Sequence, residues 1–177
     1  MSIPSASIQV SAADAVACIK ISGRANFNSS VDFKTLVTEL RERGTKKFIL
    51  DLTDCLLMDS TFLGVLTGFG LKLAESGAPP TTIELLNPSR KISDLLENLG
   101  VNYLFHASTG PNPFTAFDKA PETGADKAEV TRTCLEAHKT LMAVNPDNVP
   151  KFKDVTRFLA EDLKRIEGEQ GGKPAGS

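Results

Sequence analysis

Phe48-Ile49-Leu50-Asp51-Leu52-Thr53-Asp54, followed shortly by Asp59-Ser60-Thr61-Phe62-Leu63-Gly64, is the stretch whose reading decides the fold. Phe48, Ile49 and Leu50 are consecutive apolar residues, as a central strand covered on both faces requires, so Lys46 to Leu52 reads as a strand. Leu56 to Met58 continue apolar up to Asp59 and Ser60, where an acid and a hydroxyl stand at the change from strand to helix. Asp59, Ser60 or Thr61 can satisfy the first free backbone donors of that helix. Its inward stripe is Leu63, Leu66, Gly70 and Leu73. Gly64, Gly68 and Gly70 each cost about 1 kcal/mol relative to alanine, so the helix is expected to pack unusually close to the sheet or to a partner.

On the N-terminal side, Asp14 to Gly23 reads as a strand, with Ala17, Ile19 and Ile21 on one face and a short paired segment at Ile8 to Val10 before it. Gly23 ends it. Ser29 and Asp32 have capping-box spacing, although Asn28 can cap instead, and Val31, Leu36, Val37 and Leu40 form a helical stripe that stops at Gly44. On the C-terminal side, Thr82 to Leu86 is a third strand. Asn87-Pro88 then reads as an N-cap with proline at the first helical position, Ile92, Leu95, Leu96 and Leu99 are the apolar face, and Val101 to Phe105 is a last strand. Alternating strands and helices imply right-handed crossovers and a largely parallel sheet.

Ser108 to Gly124 carries Pro111, Pro113, Pro121, Gly110 and Gly124 and reads as a linker or a surface wrap. Two helices follow. Val130, Cys134, Ala137, Leu141 and Met142 mark the first, which Asn145-Pro146 ends; Phe152, Val155, Leu159, Leu163 and Ile166 mark the second, which Pro150 can open. Both faces are too apolar for free helices, so they should pack on each other and on a further surface, the domain's own flank or another subunit. Glu167 to Ser177 reads as a frayed tail. The expected division is an α/β domain at residues 1–108, a linker at 109–124, a helical pair at 125–167 and a flexible tail at 168–177.

The chain has 177 residues, 20 basic and 22 acidic, with 41% hydrophobic content, enough for a real core. The formal net charge of -2 leaves no basic surplus to track phosphates, which argues against direct nucleic-acid binding. No apolar run reaches the roughly 20 residues of a membrane span, and Met1 to Ser7 shows no secretory pattern, so membrane insertion is not expected and a cytoplasmic location is. Cys18, Cys55 and Cys134 lie far apart without metal-ligand spacing, which suits structural thiols.

Little in the sequence points to catalysis. His106 and His138 are the only histidines, neither stands in a recognisable activating pattern, and His138 beside Leu141 and Met142 reads as a helix-flank residue. No dinucleotide fingerprint or Walker motif is present, and no cofactor is expected. The Asp59-Ser60 junction offers a different chemistry. A phosphate on Ser60 would meet the free amides and positive dipole end of the helix, and would add about two negative charges beside Asp59, enough to displace a docked partner.

From residue 8 to residue 108 the sequence resembles the STAS domain, the fold of bacterial anti-sigma factor antagonists and of the cytoplasmic tails of sulphate transporters. Val16 to Gly23, Phe48 to Asp54, Asp59 to Gly64, and Leu86-Asn87-Pro88 with Leu95 and Leu96 carry the resemblance. It implies a mixed, largely parallel sheet of four to five strands with helices on one face, to which the C-terminal helical pair is added. By the same resemblance Ser60 would be the acceptor phosphorylated by an anti-sigma factor with serine kinase activity. The unphosphorylated form would bind that factor and release the sigma factor; phosphorylation would end binding and a phosphatase would restore it. Catalysis would belong to the partners, leaving this chain a non-enzyme.

Asn26, Asn28, Asp59, Ser60, Thr61 and Phe62 are the candidate partner-binding residues. Asn26 and Asn28 equally suit a turn and helix cap. Antagonists commonly have Ser or Gly where Thr61 stands and often Gly at Phe62, so a bulky Phe62 could change which kinase fits. The helices from Gly124 to Glu167 lie outside the family's core and are expected to mask the docking face, build a homodimer or bind a different protein. The alternative function is a non-switching scaffold or subunit of a signalling or transporter complex, held through those helices.

Overall fold

A computed structural model describes residues 6–171. A parallel core of strands is extended on one side by an antiparallel hairpin. β1 (Ser7–Ala13) and β2 (Val16–Ala25) pair antiparallel, Ile8 opposite Ile21 and Val10 opposite Ile19. The opening strand starts later than its alternation suggests: Asp14 is the hairpin turn, at φ 55°, a left-handed conformation that Asp tolerates better than most residues. β2 also continues past Gly23, which has φ 83° where the register shifts, and so reaches β4 (Cys55–Met58). The apolar run Leu56 to Met58 is thus part of a strand of its own, parallel to the end of β2.

β3 (Lys47–Asp51), β5 (Ile83–Leu86) and β6 (His106–Ser108) continue the sheet in parallel from β2. β7 (Asp118–Lys119) adds to the outer edge of β1. Among the described residues the sheet has seven strands, in the order β6-β5-β3-β2-β1-β7 with β4 beside β2. That exceeds the expected four to five because short strands with no alternating pattern join its margins. The last strand lies later than expected: Asn102–Leu104 is a 3-10 turn and the pairing residues are His106 to Ser108.

Alternation sorts β2 and β3 onto two faces. Ala17, Ile19, Ile21, Phe48 and Leu50 are fully buried against α1 (Phe27–Glu42) and α2 (Ser60–Glu75). Ile92 and Leu96 of α3 (Arg90–Asn98) join that core. Cys18, Ile49 and Leu86 face the other way, where Phe114 and Phe117 of the proline-rich stretch cover them. That stretch wraps the domain: Asn112 donates to Asp51 at 2.8 Å, and Thr123 donates to Asp32 from its amide and hydroxyl at 2.9 and 2.7 Å.

The N-terminus of α3 corrects the sequence reading. Ser89 caps it, accepting from the Ile92 amide at 3.2 Å. Asn87 instead takes φ 54° and uses its side-chain amide to hold Thr53 and Gly110, an Asn role that proline at the next position does not reveal. The first turn of α1 differs too: its cap is Asn26, paired with Ser29 in a capping box, rather than Ser29 or Asn28.

α4 (Lys127–Val144) and α5 (Val149–Gly171) are the C-terminal pair. α5 runs beyond Glu167 to Gly171, and the rest of the expected tail, like residues 1–5, lies outside the described residues. The surface that buries α4 is the domain's own flank, chiefly α2. Asn148, fully buried between the two helices, donates to the carbonyls of Leu99 and Leu141 at 2.9 and 2.8 Å and fixes their corner to the domain.

Candidate functional site

Asp59 builds the site. Its backbone is extended, and its Oδ1 accepts from the Phe62 amide at 2.8 Å, capping α2. Its Oδ2 accepts from the Phe27 amide at 2.8 Å, at the start of α1. One carboxylate therefore satisfies donors at two helix ends and sets α1 and α2 side by side. Asn26 holds the first turn of α1 through its box with Ser29, and Asn28 is exposed in that same turn. Asn26, Asn28, Asp59 and Ser60 are thus gathered at the paired N-terminal ends of the two helices.

Thr61 and Phe62 go elsewhere. Phe62 is fully buried and stacks on Phe33 with ring centroids 4.9 Å apart, so its bulk fills the core rather than standing beside the hydroxyl of Ser60. Thr61 is buried too, under α4 next to Cys134.

Ser60 occupies the first helical position of α2 and is half-buried. Its Oγ lies 2.8 Å from Nε2 of His138, while Nδ1 of the same ring lies 2.6 Å from the Cys134 carbonyl. A carbonyl only accepts, so Nδ1 carries a proton, and in the neutral imidazole Nε2 accepts from the serine hydroxyl. The imidazole is almost fully buried, with the Phe152 ring packed at 5.3 Å between centroids. His138 is the site residue that sequence reasoning set aside. Its apolar neighbours on α4 marked a buried face, but nothing in the sequence says which surface that face meets.

The α2–α4 seam explains one of the helix glycines. A Cβ at Gly64 would stand 2.5 Å from the Ala137 carbonyl oxygen, so only glycine admits α4 at this depth. The close approach is therefore to α4, not to the sheet. Gly70 meets Leu104 and Phe105, and Gly68 has room to spare. Lys34 of α1 adds an ion pair to Glu136 of α4 at 3.1 Å.

Burial pushes the thiols of Cys18, Cys55 and Cys134 above their ordinary range, and all three are unpaired, which suits packing rather than nucleophilic duty. Among the described residues no group of three or more His, Cys, Asp or Glu is placed to hold a metal ion, and no helix is long and apolar enough to cross a membrane.

Comparison with known proteins places this geometry. No curated protein sequence matches the chain. Among solved structures it is similar to the anti-sigma factor antagonist SpoIIAA of Bacillus in its unphosphorylated form, with TM-score 0.50 and 17% identity over 58% of this chain and 88% of that one. It is also similar to TM1081 of Thermotoga maritima, with TM-score 0.50 and 22% identity over 56% of this chain and 78% of that one. At such identities these matches speak for the fold. The family model of the STAS domain aligns with residues 7–117, from the first strand through the wrap over the second sheet face, and the chain belongs to the STAS domain family.

Proposed function

We propose that this chain is a partner-switching STAS protein that binds an anti-sigma factor with serine kinase activity and is released from it by phosphorylation of Ser60. The observation that carries the reading is the position of Ser60, first in α2 and directly after a cap that also anchors α1. At that position an added phosphate meets a helix N-terminus, where backbone donors lack partners and the dipole favours negative charge. The fold can carry the modification while its surface charge changes beside Asp59. SpoIIAA, similar in fold, is itself an anti-sigma factor antagonist with a form distinguished as unphosphorylated.

In the reaction the γ-phosphoryl group of ATP passes to Ser60 Oγ, ADP leaves, and the hydroxyl proton goes to the kinase's base. A phosphatase would reverse the state by hydrolysis. This chain acts by binding and by being modified, not by turnover. The test is incubation with the kinase-bearing partner and ATP, followed by phosphopeptide mapping. One phosphate on Ser60 is expected, and a Ser60→Ala chain phosphorylated equally well would sink the assignment.

The non-switching scaffold reading retains one observation in its favour. Val155 and Phe158 on α5 are 38% and 60% exposed, and Phe27 at the start of α1 is 45% exposed. A stable oligomer seen by light scattering of the full chain, unchanged by Ser60→Ala, would favour it.

A further inference from the structure

We infer that α4 is an in-chain occupant of the face at the N-terminus of α2, with His138 as the latch that keeps Ser60 from a kinase or partner until α4 lifts. The inference rests on the reading of Ser60 as the acceptor and concerns what controls access to it.

Three contacts define the occupied state. The hydroxyl of Ser60 is engaged by His138 Nε2 at 2.8 Å, so the oxygen that would take a phosphoryl group already donates its proton inside the molecule. The imidazole cannot simply swing away, because Nδ1 is held by the Cys134 carbonyl at 2.6 Å and the ring is packed beside Phe152. The backbone of α4 is seated against Gly64, with no room at that position for even a methyl group. A tetrahedral phosphate on Ser60 needs more space than a hydroxyl hydrogen-bonded at contact distance, so in the rotamer that meets His138 modification requires α4 to move.

Both polar bonds and core packing hold α4. Its seam to the domain includes the Ser60 bond, the exposed Lys34–Glu136 pair and apolar contacts centred on Ala137 and Leu141, while Asn148 fixes the corner at its far end. The expectation is a sub-global opening in which α4 leaves α2 while the sheet stays folded. The occupied state would then bind a partner less well than the opened one, because only the opened fraction offers the face.

Three native cysteines report the opening directly. Cys134 lies on the buried side of α4, whereas Cys18 and Cys55 belong to strands of the sheet. The full chain is exposed to iodoacetamide under native conditions and each cysteine's alkylation rate is read by peptide mass spectrometry. Cys134 should react faster than Cys18 and Cys55. Ser60→Ala should accelerate Cys134 by about tenfold, the factor corresponding to about 1.4 kcal/mol, and should leave Cys134 ahead of the other two. Gly64→Ala, which wedges the seam from the α2 side, should act in the same direction; Ser60→Ala carries the test alone if the wedge fails to fold. Equal rates at all three cysteines, or no acceleration of Cys134 in Ser60→Ala, would overturn the latch and make α4 a fixed part of the core. Neither result depends on a kinase. A failure here leaves Ser60 phosphorylation standing, and a chain never phosphorylated at Ser60 leaves the opening of α4 standing but removes its role in phosphorylation.

Discussion

Ser60 Oγ and His138 Nε2 lie 2.8 Å apart although 78 residues separate them, and this bond joins the STAS domain to the helices that follow it. Because His138 is almost fully buried, removing the hydroxyl leaves Nε2 without a partner. A buried acceptor left unsatisfied costs about 1–3 kcal/mol. Ser60→Ala should therefore lower stability by that amount in urea unfolding, an effect no exposed serine would produce. A loss below experimental error would mean that the bond is not maintained in solution.

Gly64 and Gly68 should respond differently to alanine, although both lie inside α2. Helix propensity favours alanine by about 1 kcal/mol at either position. At Gly64 the new Cβ would meet the Ala137 carbonyl oxygen at 2.5 Å, and overpacking of this kind costs about 1–3 kcal/mol. At Gly68 the nearest atom is the Thr140 methyl at 3.9 Å, an ordinary contact. Thermal melts should show Gly64→Ala destabilised and Gly68→Ala unchanged or stabilised. A rise in melting temperature for Gly64→Ala would show that α4 is not seated at this depth.

Asp59 should be costly to lose for a reason unrelated to signalling. Its two oxygens serve the Phe62 and Phe27 amides, one at each helix end. An N-cap alone is worth about 0.5–2 kcal/mol, and Asp59→Ala removes the second bond as well. Asp59→Asn keeps one acceptor oxygen and should recover part of the loss. Chemical denaturation of the three chains checks the order, and an Asn variant no better than Ala would refute the two-sided role.

Acid sensitivity should arise on the other sheet face. Burial alone raises the Asp51 carboxyl, but donors from the Thr53 side chain and amide and from Asn112, with Lys20 nearby, outweigh burial and hold it below its ordinary value of 3.8. A carboxyl lowered in the folded state stabilises fully above its unfolded pKa, and that stabilisation is lost as pH falls through the folded one. Stability should therefore decline below pH about 4 more steeply in the wild type than in Asp51→Asn. Identical acid limbs for the two proteins would contradict this origin.

Much of this arrangement was legible in the sequence where local chemistry decides it. Consecutive apolar residues at Phe48 to Leu50 gave a covered strand, and an acid before Ser60 gave a capped helix. Local rules misplaced Asp14 and Asn87, because each takes a left-handed conformation that glycine more often marks. Short margins such as β7 were missed, since two residues carry no periodicity. The engagement of Ser60 by His138 is a tertiary fact: the apolar stripe of α4 announced burial, and Gly64 announced a close approach, but only folding shows that the two meet.

By the proposed function, phosphate on Ser60 controls partner binding. The most direct measurement is a binding titration of the kinase-bearing partner against the full chain, unphosphorylated and stoichiometrically phosphorylated on Ser60. A loss of at least about tenfold in affinity on phosphorylation, or about 1.4 kcal/mol, is expected. Equal affinity for the two forms would contradict it.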